Sequence, residues 1–112
     1  MKKAENQAAQ GDLLFIRVPH IPSDTKRVEP KDGIFIVGHS ETGHHHTIGA
    51  NGVVMLENPK DPFTCYLRLA CDADIVHLRT FDTHPTFTLS KGSWLVRRQR
   101  EYTPEGLRMV ED

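Results

Sequence analysis

Hydrophobic positions along the 112-residue chain come in short runs broken by Pro, Gly, Asn and Asp. None keeps a helical period beyond a turn or two. Residues 13–18 form a nearly continuous apolar run, short enough for a strand buried on both faces. Residues 34–37 form another. In 64–70, Cys65, Leu67 and Leu69 alternate with Tyr66 and Arg68, the period of a half-buried antiparallel strand. Residues 75–81, the extended pair Phe87 and Leu89, and 94–102 add further strands. This punctuation predicts an all-β domain, a small β-barrel or β-sandwich of about seven or eight short antiparallel strands. Residues 1–10 carry no apolar stripe and are expected as a flexible N-terminal tail, with 11–112 as a single β-domain.

One stretch combines pattern with chemistry. His39, His44, His45 and His46 fall within eight residues, ahead of Ile48 and the turn Ala50-Asn51-Gly52-Val53. Asn-Gly suits the positive φ angles of a type I′ hairpin turn. Strands over 44–49 and 53–57 would then pair Ala50 with Val53, Ile48 with Met55 and His46 with Glu57. Because alternate side chains share a face, His44 and His46 would point together, with Glu57 across from them. Imidazoles beside a carboxylate suit zinc, nickel or iron.

A metal site with an open position usually needs three protein ligands. His84, in the strand-breaking Thr83-His84-Pro85, is the first candidate for the third, and His77 the second. The expected ligands are therefore His44, His46 and His84. If the ion kept a water, Glu41 or Glu57 would be the general base of a hydrolase. An iron site would instead serve an oxygenase. A histidine pair followed by a distant third resembles the metal arrangement of cupins. The glutamate that family places after its second histidine is here replaced by Thr47, Ile48, Gly49 and Ala50.

A broader resemblance rests on Gln10-Gly11-Asp12-Leu13-Leu14, on Gly38 through His46, and on Arg97 through Gly106. These segments are similar to small bacterial and phage or prophage proteins with the pattern QGD, then GE-x-TGH-x-H, then a histidine before an LP-x-G turn, then REY-TPE. The chain departs where two residues separate Gly38 from Glu41, and at Ser90, where proline is usual. The resemblance implies the histidine choice and a phage or mobile-element origin, and names no reaction.

Composition narrows the partners. Net charge is −1, so no global attraction to nucleic acid or anionic lipid is implied. Arg97, Arg98 and Arg100 with Trp94 and Tyr102 make a small basic-aromatic grouping, but Glu101 and Glu105 sit close by, and nucleic acid is disfavoured. Cys65 and Cys71 lack a metal motif and suit reduced thiols in a cytoplasmic protein. No apolar run approaches the ~20 residues of a membrane span. An unidentified small molecule or protein remains as partner, a homodimer among the options, and a non-enzymatic phage accessory module is the competing function.

Overall fold

A computed structural model describes the backbone over residues 2–38, 45–77, 86–98, 100–103 and 106–109, and side chains over 3–38, 45–76 and 86–98. In chain order the strands are β1 (Lys2–Ala4), β2 (Gln7–Gln10), β3 (Leu13–Val18), β4 (Lys26–Val28), β5 (Ile34–Gly38), β6 (His46–Gly49) and β7 (Val53–Glu57). They continue as β8 (Thr64–Leu69), β9 (Ala73–His77), β10 (Phe87–Leu89), β11 (Gly92–Arg98), β12 (Arg100–Thr103) and β13 (Gly106–Met109). No helix occurs among the described residues.

Five strands form one sheet in the order β1-β10-β9-β6-β5, and six form another in the order β2-β3-β11-β8-β7-β4. Strands β12 and β13 pair separately. The two large sheets do not close into a barrel, so the molecule is an all-β sandwich. Strands outnumber the seven or eight expected because β1, β4 and β10 have three residues each, too few to show an alternation. The N-terminal residues likewise do not end as a loose tail. Strand β1 runs parallel to β10, β2 runs antiparallel to β3, and Ala4 is buried in the core. Small alanines mask that burial in sequence.

The core lies between the sheets. Phe35, Ile48, Ile75 and Leu89 pack from one side, Phe15, Leu67, Trp94 and Val96 from the other. Phe15 and Phe87 meet edge to face across the seam, with ring centroids 5.4 Å apart. Trp94 is fully buried. Its indole N–H donates to the Ser90 carbonyl at 2.8 Å, and the Arg17 guanidinium lies 4.7 Å from its ring centroid. Trp94 is thus unavailable for base stacking, and Arg98 is engaged in an ion pair, so neither contributes to a basic-aromatic surface patch.

The anticipated hairpin is also replaced. Strand β6 pairs with β5 and β9, whereas β7 pairs with β8 and β4. Asn51-Gly52 therefore carries the chain from one sheet to the other. The Val53 N–H still donates to the Ala50 carbonyl at 3.1 Å, but only Gly52 has positive φ, at 73°. A type I′ turn needs positive φ at both central positions. The Lys31–Ile34 turn meets that requirement, with Asp32 at 53° and Gly33 at 76° and reciprocal backbone bonds of 3.0 and 3.1 Å.

Candidate functional site

Three distant segments meet in one buried polar cluster. Strand β6 opens on His46, which is fully buried, and a bulge in β5 between Ile36 and Gly38 sets Gly38 opposite it. Glycine is required there by packing. A Cβ on Gly38 would lie 2.7 Å from Leu13 Cδ1, and Leu13 is itself only 1% exposed. That close approach brings the β5–β6 edge against the start of β3, where Asp12 stands. Bulges commonly re-aim the chain beside functional sites in this way.

Gln10, at the end of β2, places Oε1 2.8 Å from His46 Nδ1, while its amide nitrogen donates to the Ile75 carbonyl at 3.4 Å. The second bond orients the amide, so Oε1 accepts and His46 Nδ1 is the protonated ring nitrogen. His46 Nε2 then faces Asp12, with Oδ1 3.7 Å away. Asp12 is 3% exposed, and its Oδ2 accepts from Arg98 Nε at 2.9 Å. Arg98 is placed by the end of β11, opposite Leu13, and its backbone N–H donates to the Phe63 carbonyl at 2.9 Å. A buried carboxylate needs such a counter-charge.

A cleft of about 250 Å³ abuts this cluster, with Leu13, Gly38 and Arg98 among its lining residues. Glu57 and Cys65 line it as well. Burial and, secondarily, the negative charge of Glu57 push the Cys65 thiol up to about 12. Cys65 is therefore a protonated wall residue and no nucleophile at neutral pH.

The residues expected for a site separate into distinct groups. His46 is at the centre of the cluster. Glu57 is exposed and belongs to the other sheet, opposite Lys26 and Cys65, so it is not the ladder partner of His46 that a hairpin would make it. His77 stands opposite His46 in the β6–β9 ladder. His44, His84, His39 and Glu41 lie outside the described residues. No group of three or more metal-ligating side chains occurs among the described residues. Gln10, Asp12 and Arg98 went unrecognised as site residues, although each belongs to a motif segment singled out in the sequence. Asp12 beside Gly11 reads as a turn, and Arg98 as part of a charged strand end.

The model of the family described as a domain of unknown function (DUF8820) matches residues 9–99. The chain belongs to that family. Its matched span takes in Gln10, Asp12, His46 and Arg98 together, so the whole polar cluster lies within the DUF8820 domain. Curated proteins and solved structures gave no match. No helix among the described residues is long and apolar enough to cross a membrane.

Proposed function

We propose that this DUF8820 protein binds a divalent metal ion at the buried cluster, through His46 Nε2 and Asp12 Oδ1. The observation that carries the reading is their separation of 3.7 Å. That is too long for a hydrogen bond. It is within a few tenths of an ångström of the roughly 3.3–3.5 Å that two ligands keep at tetrahedral angles around a small ion with bonds near 2.0–2.2 Å. The surroundings support it. Gln10 fixes the imidazole tautomer and Arg98 holds the second carboxylate oxygen, the outer hydrogen bonds that metal ligands characteristically have. His44, His84 and His77 are the proposed sources of further ligands. Zinc, nickel or iron suits a histidine–carboxylate set.

A bound ion with an open position would supply Lewis acidity for hydrolysis or, as iron, redox activation of dioxygen for oxygenation. The protein's own contribution is to keep the ligands dry and oriented and to admit a small molecule along the cleft. Glu57, on the cleft wall, and Glu41 are the proposed proton acceptors. The two free cysteines support a cytoplasmic location, and the sequence resemblance supports phage or prophage ancestry.

Elemental analysis of untagged protein, purified and then dialysed against each metal in turn, tests the proposal. About one ion per chain is expected, lost in His46→Ala and Asp12→Asn variants that keep the β-sheet circular dichroism. Wild-type protein that takes up no ion would contradict it.

A second reading, a non-enzymatic interaction module, has one observation in its favour. Strand β5 lies at a sheet edge among the described residues, carries neither charge nor proline, and leaves Ile34 37% exposed. Open apolar edges pair with other chains, here a second copy. Sedimentation should then show a dimer that Ile36→Pro dissociates; a wild-type monomer at high concentration would remove this reading.

A further inference from the structure

We infer that the cleft beside Arg98 is a binding site for small organic acids, an apolar body carrying one carboxylate. The site has two parts. One wall is apolar, with Val28, Ile36, Met55 and Val96 contributed by strands of both sheets. At 250 Å³ it falls below the roughly 300–1,000 Å³ of pockets for drug-sized ligands, so the occupant is smaller.

The other part is a cation with donors to spare. Arg98 lines the cleft with its side chain 18% exposed. It gives Nε to Asp12, while Nη2 is buried without a hydrogen-bond acceptor among the described residues. A buried guanidinium donor lacking an acceptor is costly, and with Nε held by Asp12 one oxygen of a carboxylate entering from the cleft would satisfy Nη2.

The remaining polar groups do not compete for that role. Asp61 bonds within its own loop, from Oδ1 to the Phe63 N–H and from Oδ2 to the Thr64 hydroxyl. Cys65 presents a neutral thiol. Glu57 is exposed, where water screens its repulsion of a second carboxylate. This inference goes beyond the metal proposal, because neither Arg98 nor the apolar wall requires an ion.

The test is titration of the ¹⁵N-labelled protein in EDTA with benzoate and hexanoate, against benzamide and hexylamine as uncharged and cationic counterparts. Both acids should shift amides of β5, β7 and β11 saturably. The amide should bind about tenfold more weakly or worse, the size of a lost charged hydrogen bond. Arg98→Gln should erase the preference for acid over amide. Because that variant also leaves Asp12 without its cation, Val28→Trp provides a second arm. It narrows the cleft with the Arg98–Asp12 pair intact, and should abolish binding of both acids. Acids that shift nothing in the wild type would overturn the inference. So would preference for the amine, or binding that survives Val28→Trp. Because EDTA removes metal throughout, these outcomes stand apart from metal content.

Discussion

Asp12 is 3% exposed, and a carboxylate so placed stays ionised only beside a cation, which Arg98 supplies at 2.9 Å. Removing one partner of a buried pair costs about 3–5 kcal/mol, because the survivor is left uncompensated. Arg98→Met should therefore lower stability by about 3 kcal/mol, toward the lower bound because Arg98 retains some exposure. The double variant Arg98→Met/Asp12→Asn should recover part of the loss in urea unfolding. Additive effects would mean that the two groups are not coupled.

The thiols provide a second check at this scale. Cys71 is exposed and Cys65 buried, so one thiol should react with iodoacetamide in the native protein and both after unfolding. Above the ordinary thiol value of 9.0 the unfolded chain loses the Cys65 proton, while the folded chain keeps it up to about 12. The unfolded state then binds fewer protons, so stability falls as pH rises through that window. Cys65→Ala should flatten this slope in denaturation curves measured across it. An unchanged slope would contradict the burial of Cys65.

At the scale of elements, alternation was legible where strands were long enough to express it. In β8 the positions read as inward, Cys65, Leu67 and Leu69, are indeed core residues. Pairing was less legible, because Asn-Gly signals a tight turn without saying whether the strands flanking it join one sheet or two. At 51–52 the sheets diverge, and Asn51 stays outside the left-handed region that Gly52 occupies. Gly52→Ala should accordingly cost about 1 kcal/mol, the strain of a side chain at positive φ. Asn51→Ala should cost less than about 0.5 kcal/mol, as a surface substitution without special backbone. Thermal unfolding of both variants separates this corner from a type I′ hairpin, in which the two would be comparably costly.

Across the whole molecule, the candidate site could be read only in part from sequence. His46 announced itself by its neighbours. Gln10, Asp12 and Arg98 did not, because their meeting depends on β2, β3 and β11 lying side by side and on β6 facing them. No local spacing encodes those long-range pairings. The expected pairing of Glu57 with His46 failed for the same reason, β6 and β7 having gone to different sheets. The sandwich joins residues 10–14, the Gly38–His46 ladder contact and residues 97–98, and the metal proposal stands on that convergence.

The most direct measurement is a zinc titration followed on the ¹⁵N resonances of the His46 ring. With Gln10 holding Nδ1 and Asp12 alongside Nε2, one equivalent should shift Nε2 into the range of a metal-bound imidazole nitrogen and leave Nδ1 protonated. A ring that does not respond, or one that binds through Nδ1, would contradict the account.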